Sequence, residues 1–415
     1  MSRNLLPVLS LLLGALFLLA GNGLHGLLLP LRGTAEGFSP ATLGLLGTSW
    51  ASGFVLGCIF APRVVRRVGH VRAFSAFCAM TAIIALLTGL FVDSIAWILL
   101  RAVTGFSVAA AFMIIESWLN ERATNESRGQ IFSLYMMINY TGIVLGQMAV
   151  AFGDIMAAGF FMITGILYCL ALLPTAVSTA GSPMPLKDVK LDLKSLYRNS
   201  PISFVGILLV GIANGCFGTL AAVFGTRMDM TQTTVALMMS LTLFAGALAQ
   251  WPAGRLSDRI DRRYVLVGLA VLASLAGLLL FAFSPDDIIL LFSIIAVYGA
   301  ASYTLYSIIV AHANDFASQE DFVRISGGLL LLYGVGTIIG PMIGGLAMDM
   351  FGPHALFAVT AFAHVMLGVY ALVRIHVRSA LAPETREAFQ SLPSSRLATP
   401  ESFNLAPKQG TADKP

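Results

Sequence analysis

The chain has 415 residues, of which 57% are apolar (AVILMFWYC) and 40 are glycine, while 11% are charged, under half the roughly 25% of an average soluble domain. So little charge does not cover the surface of a water-soluble protein of this length, which excludes the cytosolic-enzyme, nucleic-acid-binding and disordered-scaffold classes and leaves an integral membrane protein. The net charge of +4 is too small and too dispersed to imply a nucleic-acid partner.

An apolar run of about 20 residues crosses the ~30 Å hydrocarbon core as a helix. Twelve such runs follow one another, at about 6–30, 41–61, 71–92, 95–117, 130–152, 156–176, 202–226, 234–253, 264–283, 287–311, 325–348 and 354–374. A closed barrel shows ~10-residue alternating segments instead. The expected fold is therefore an all-α membrane protein with twelve transmembrane helices. The first run is longer than the 7–15-residue apolar region of a signal peptide, so it is expected as an uncleaved span. The four cysteines, Cys58, Cys78, Cys169 and Cys216, each lie in an apolar run at spacings that fit neither a metal site nor a disulfide framework. They are expected to be small buried hydrophobes, with no metal and no cofactor.

Lys and Arg in short connections set orientation. With the N-terminus inside, 22 of the 25 basic residues are cytoplasmic, Arg32 and Arg227 are outside, and Arg101 lies within a span. Both termini are thus expected in the cytoplasm of a multi-pass cell-membrane protein, a bacterial inner membrane being the expected site. The longest connection, 177–201, carries Lys187, Lys190, Lys194 and Arg198 and divides the spans six and six. The expected layout is a six-helix half over 1–176, a cytoplasmic linker over 177–201, a second half over 202–376, and a Pro- and Ser-bearing tail over 377–415. That tail is expected to be disordered.

A shift of 192 residues lays Gly21-Asn22-Gly23 on Ala213-Asn214-Gly215, Gly26 on Gly218 and Pro62 on Gly254. Small indels then carry Glu116 onto His312 and Gly142-x-x-x-Gly146 onto Gly336-x-x-x-Gly340. Because six is even, the halves keep one orientation, giving two parallel six-helix repeats. Parallel repeats place a cavity at their interface near the midplane and expose it to each side by rocking. The sequence reads as a transporter on this ground.

The run from Gly254 through Arg255, Leu256, Ser257, Asp258, Arg259, Ile260, Asp261, Arg262 and Arg263 to Leu266 resembles the loop signature G-x-L-x-D-R-x-G-R-R-x-x-L of the major facilitator superfamily. Arg101 with Gly105 four residues on resembles its R-x-x-x-G element, Arg128-Gly129 opens the fifth span as in many members, and Gly336-x-x-x-Gly340-Pro341 resembles an antiporter pattern, here on the eleventh span. The resemblance covers all twelve spans and is closest to a bacterial branch of permeases of unknown substrate. Two departures stand out: Arg66 occupies the acid position of the first-half loop, which continues through Arg67 to Gly69, and Asp261 replaces the second glycine of the second-half loop. The resemblance links the acid to an inner-gate latch, an acid the first half lacks. Physically, glycine permits a tight turn and the arginines suit an anionic leaflet.

An Arg at the centre of a span costs about 2.5–3.5 kcal/mol by insertion scales, so it needs a partner or a wet cavity. Arg101 lies about 9 Å from the outer end of the fourth span at 1.5 Å per residue. His25 lies at a similar depth on the first span, one turn from Asn22. In the family the first, fourth, seventh and tenth spans line the cavity, so the resemblance implies that Asn22, His25, Arg101 and Asn214 share a polar chamber. There Arg101 either binds an anionic group or tunes a proton site; the alternative is a structural anchor. Asn139 and Gln147 share a broad face of the fifth span, as cavity or interhelical bonding groups, and Tyr303, with Tyr298 and Tyr306, is a candidate lining residue. Glu116 and His312, at equivalent repeat positions, are the candidate inner gate, since His titrates near physiological pH; Asn120, Asn314 and Asp315 surround it. Gly105, Gly142, Gly146, Gly336, Gly340 and Pro341 are assigned to close helix packing and bending.

The functional expectation is a monomeric secondary transporter moving a small organic solute by alternating access, coupled to protons and directed outward. The alternative is a facilitator or symporter importing a sugar or organic anion. The spans show no midplane cluster of acids, histidines and nucleophiles of the kind an intramembrane enzyme needs, so no enzymatic activity is expected.

Overall fold

The computed structural model describes residues 6–124, 127–176, 192–283, 285, 287–316, 322–377, 389 and 399–405. All regular structure among them is helical. In chain order the helices are α1 (Leu6–Ala35), α2 (Pro40–Val68), α3 (His70–Leu90), α4 (Ser94–Arg122), α5 (Arg128–Ala149), α6 (Gly159–Leu170), α7 (Leu173–Ala176), α8 (Leu193–Asn199), α9 (Pro201–Arg227), α10 (Gln232–Arg259), α11 (Arg262–Ala282), α12 (Ile288–Asn314), α13 (Phe322–Phe351), α14 (Ala355–Val377) and α15 (Pro400–Leu405). Eleven are long and apolar enough to cross a membrane, and α6 is a shorter apolar helix of 12 residues.

The sixth run departs most from expectation. Its beginning is a turn, in which Asp154 accepts the N–H of Met156 at 2.8 Å, and α6 stops at Leu170. Pro174 has no N–H to give, and its ring crowds the carbonyl four residues back, which is that of Leu170. Elsewhere helix starts follow local chemistry: Ser39, Asp93, Thr231 and Asp287 each accept a first-turn N–H at the head of α2, α4, α10 and α12, the usual side-chain cap.

Both basic loops are shorter than the sequence suggested. α2 runs on through Arg66 and Arg67 and turns only at Gly69, where φ is +87° and glycine is favoured. α10 runs on to Arg259, so Gly254 lies inside a helix and makes no turn. Of the cysteines, Cys78 and Cys216 are buried, but Cys58 is half-buried and Cys169 is exposed.

The helices preceding the connection pack as α1 on α5, α2 on α4 and α3 on α6; those following it repeat the pattern as α9 on α13, α10 on α12 and α11 on α14. The two sets meet where α2 lies against α13, α1 against α9 and α5 against α10. The bundle has a proximal end, where α1 begins, and a distal end opposite it. At the distal end Ala41 donates its N–H to Asp349 at 3.0 Å, Thr48 donates to the Ile338 carbonyl at 2.7 Å, and Gln232 donates to the Gly153 carbonyl at 2.6 Å. Leu27, Leu28 and Leu31 of α1 join Leu220 and Phe224 of α9 in one buried cluster there. These contacts draw the two sets together at the distal end.

The tail departs from its expected disorder at the residues described. Residues 399–405 form a cap and a helix packed on α4 and α13. A reciprocal pair of hydrogen bonds nucleates it: Thr399 donates its N–H to Ser402 Oγ at 3.0 Å, and Ser402 Oγ donates back to the Thr399 carbonyl at 2.6 Å. The linker likewise contains α8, capped by Asp192; Lys187 and Lys190 lie outside the described residues, as does most of the rest of the tail.

Candidate functional site: a cavity between the two helix sets

Beneath the distal contacts lies a cavity of about 120 Å³. The first set supplies Asn22, Gly26, Trp50, Arg101 and Gln147, and the second Thr219, Met239 and Tyr303, with aliphatic side chains between. Arg101 is 9% exposed and, among the described residues lining the cavity, carries the one formal charge. Its guanidinium lies 5.8 Å from the centre of the Trp50 ring, inside the ~6 Å range of a cation–π contact. Trp50, like Thr219 and Met239, is a lining residue that sequence reasoning missed. Its only prior signal was its place on the second span, one turn before the close approach of α2 to α4.

That approach has a simple cause. Gly105 of α4 sits against the Trp50 carbonyl, and Gly57 of α2 sits where an added Cβ would stand 2.6 Å from the Phe106 carbonyl oxygen. Small residues let the two backbones nearly touch. The register this imposes sets Arg101 beside the Trp50 ring.

The other candidates divide. Asn22, Arg101, Gln147 and Tyr303 reach the cavity, while His25, Asn139 and Asn214 do not line it. His25 is fully buried beside the Arg101 charge, and neither ring nitrogen has a hydrogen-bond partner among the described residues. Asn139 is occupied within its own helix, donating to the Tyr135 carbonyl at 3.1 Å. Asn214 accepts from Ser302 Oγ at 2.7 Å, and Ser302 also lies 3.1 Å from His364 Nε2. This buried Asn214–Ser302–His364 set joins α9, α12 and α14; Ser302 carried no sequence signal, whereas His364, an ionisable residue inside an apolar run, carried the one that marked His25.

Two polar links tie α5 to the second set beside the cavity. Ser240 donates to Gln147 at 3.2 Å. Gln250 donates to the Tyr140 hydroxyl at 3.0 Å and accepts from Ser307 at 3.1 Å. Tyr298 and Tyr306 are fully buried in packing against Phe217 and Tyr333, away from the cavity.

The gate candidates are held by different partners. Glu116 is fully buried and accepts from the Tyr135 hydroxyl at 2.8 Å and from the Thr399 hydroxyl. His312 lies 2.9 Å from Ser200 Oγ and 3.2 Å from Ser203 Oγ through Nδ1. Of their neighbours, Asn120 accepts from Arg128 at 2.6 Å and Asp315 accepts from Arg262 at 2.8 Å. The candidate acid and imidazole thus sit in two separate clusters in this conformation, Glu116 with Tyr135 and Thr399 and His312 with Ser200 and Ser203.

The loop residues also depart from a row of lipid-facing arginines. Arg262 is 1% exposed and bonds Asp315, Ser257 at 3.1 Å and Asp258 at 3.3 Å, while Arg263 pairs with Asp261 at 2.6 Å. Arg66, Arg67 and Arg259 remain exposed. Carboxylates on adjoining turns recruit two of the arginines into protein contacts. The packing glycines lie where backbones meet: Gly142 and Gly146 against α1, Gly336 and Gly340 against α9, with the Pro341 carbonyl at Gly44 of α2.

The profile of the Major Facilitator Superfamily matches residues 11–231 and again 203–407. The chain is 28% identical over 375 residues to an uncharacterized MFS-type transporter of Yersinia pestis, covering 88% of this chain and 96% of that protein. It is also 28% identical to the uncharacterized MFS-type transporter YcaD of Escherichia coli, over 87% of this chain and 94% of that one. Among solved structures it superposes on the nucleoside transporter NupG with a TM-score of 0.74 at 15% identity, covering 90% and 99% of the two chains. On an inward-facing, unoccupied bacterial homolog of the lysosomal transporter Spinster it scores 0.68 at 17% identity, covering 91% and 96%. With its apolar helices, repeated pairings and enclosed polar cavity, the chain belongs to the major facilitator superfamily and is a multi-pass membrane transporter.

Proposed function

We propose that the protein is a secondary transporter that moves a small organic solute bearing a negative charge by alternating access, coupled to protons and directed outward. The observation that carries this reading is Arg101, a charged group in a cavity otherwise lined by apolar and neutral polar groups, with its guanidinium 5.8 Å from the centre of the Trp50 ring. A guanidinium in such a place forms charge-assisted hydrogen bonds with a carboxylate or phosphate. The low-dielectric walls strengthen that attraction relative to water.

The architecture under this reading is twelve crossings in two parallel repeats, α6 with α7 forming the sixth. The recurring helix pairings and the doubled family match support it. The proximal end, where the exposed arginines gather, is the cytoplasmic face by the positive-inside rule. The close distal contacts then favour an inward-type arrangement of the two halves. Proton coupling is assigned to Glu116, a buried acid on α4. The outward direction leans on the antiporter-like Gly-x-x-x-Gly-Pro pattern at 336–341.

The test is a panel of small carboxylates and phosphate esters in proteoliposomes under an imposed pH gradient. The expected result is that one of them collapses the gradient, that Arg101→Ala abolishes its transport, and that Arg101→Lys restores part of it. Equilibration that ignores the gradient makes the protein a facilitator. Undiminished transport by a folded Arg101→Ala protein removes the anion assignment.

A further inference from the structure

Residues 399–405 of the tail sit at the proximal mouth of the bundle, between the two helix sets. α15 touches α4 of the first set and α13 of the second. Thr399, Ser402 and Leu405 are buried to 0%, 1% and 0% exposure, and Leu405 belongs to the same apolar core as Leu119, Leu196 and Leu329. A surface segment lying loosely on a protein does not lose its solvent so completely. The Thr399 hydroxyl binds the Glu116 carboxylate, and its Oγ also accepts the Glu401 N–H at 3.3 Å.

A second contact of the tail lies on the other set. The Phe389 N–H donates to Asp258 at 3.0 Å, and the Phe389 ring covers Gly254 so closely that a Cβ there would run into it. Gly254 needs no positive φ, since it lies within α10; its missing side chain is the seat of this ring. The tail is therefore fixed at two points, α15 between the sets and Phe389 on the second, with the gate carboxylate at the first of them.

We propose that residues 399–405 are a ligand of the chain's own proximal cleft, a stopper that binds Glu116 and closes the path from the proximal face toward the cavity. Tethering makes such a ligand effective: a link of about 20 residues to α14 holds it at an effective concentration on the order of millimolar. A segment with few contacts then stays bound yet remains displaceable. The inference rests on the transporter reading only for what the stopper obstructs, and the occupancy itself is measurable without any solute.

The experiment uses the full chain in inside-out membrane vesicles, with a bulky impermeant maleimide as the probe. Two single reporters, Leu405→Cys in the tail, a fully buried apolar position that a thiol suits, and Ser326→Cys at a buried position near the proximal end of α13, are placed one at a time in a background lacking the four native cysteines. With the tail intact, both reporters are expected to react slowly. Adding Thr399→Val is expected to speed labelling of the tail reporter by roughly tenfold to a hundredfold, the equivalent of losing one hydrogen bond to a charged group. Truncation before Phe389 is expected to do the same for the α13 reporter. Fast labelling of the tail reporter in the otherwise unaltered tail overturns the docking. Slow labelling there, with no change at the α13 reporter on truncation, overturns the closure. Neither result depends on the solute or on Arg101, so the stopper and the anion assignment fail separately.

Discussion

Gly246 of α10 offers a direct test of how packing sets the cavity. An ideal Cβ at this position would stand 2.6 Å from Tyr303 Cβ and 3.1 Å from the Gly299 carbonyl oxygen, both on α12. Carbon atoms in contact rest about 3.5–4.0 Å apart, and neither Tyr303 Cβ nor the Gly299 carbonyl moves without its backbone, so Gly246→Ala must part the helices by about 1 Å, carrying Tyr303 of the cavity wall with α12. Overpacking of this kind costs about 1–3 kcal/mol, against a helix-propensity gain of about 0.8–1.0 kcal/mol for alanine over glycine. Gly268 of α11 separates the two terms, because an added Cβ there meets nothing within 4 Å. Gly268→Ala therefore receives the propensity gain alone. The gap between the two variants is then the overpacking term itself, or roughly 2–10 °C in melting temperature by the scaling for folded domains. The assay is thermal unfolding of both purified proteins in one detergent, with solute binding measured alongside. A Gly246→Ala protein that melts level with Gly268→Ala would show that α10 and α12 do not meet as described.

Two further sites give expectations beyond those for Arg101 and the tail. Gly26 lines the cavity with nothing within 4 Å of an added Cβ, so Gly26→Leu should fill the space with little loss of stability and lower solute affinity by at least about tenfold, about 1.4 kcal/mol, as measured by equilibrium binding. Arg262→Ala leaves Asp315 buried without its guanidinium and should cost about 3–5 kcal/mol, seen as a large fall in melting temperature. Arg262→Lys should recover only part of it, because one ammonium cannot span Asp315, Ser257 and Asp258 as the planar fork does.

The features legible in the sequence are those with a local cause. Apolar run length locates eleven of the helices, because crossing a bilayer is a requirement each segment meets alone. The sixth run escapes that reading because Asp154 and Pro174 act on backbone hydrogen bonds, to which an apolar count is blind. Arg101 is visible because a charge within an apolar run is costly wherever it points. Trp50 and Ser302 are not, since their residue types are ordinary in such runs; His364 and Gln250 are polar groups of the kind that marked His25 and Gln147, but the roles of all four arise from distant partners. Ser302 meets Asn214 across 88 residues of chain and Gln250 meets Tyr140 across 110. Composition marks the tail as a poor core former, yet composition says nothing about a segment that borrows a core built by others. Thr399 meets Glu116 across 283 residues, and no local pattern encodes that meeting.

The contacts between the two helix sets differ in kind at the two ends, and that difference bears on how the halves would rock. Toward the distal end, α2 and α13 touch largely through backbone, Gly44 on the Pro341 carbonyl and Gly345 against Ala41, with Val55 reaching Gly334 near mid-helix. Surfaces of this kind have few interlocking side chains, so they part without forcing rotamers to change. At the proximal end the bridge is the tail, whose hydroxyl and carboxylate groups recover hydrogen bonds from water when they separate. An inward-to-outward movement under the alternating-access reading must release the distal contact and bring α4 and α12 together where α15 now sits. Glu116 would then have to exchange Thr399 for another partner. His312, at the equivalent repeat position and bonded here to the hydroxyls of Ser200 and Ser203, is the group whose place in the sequence makes it the candidate. The tail and the imidazole are on this view competing occupants of one carboxylate.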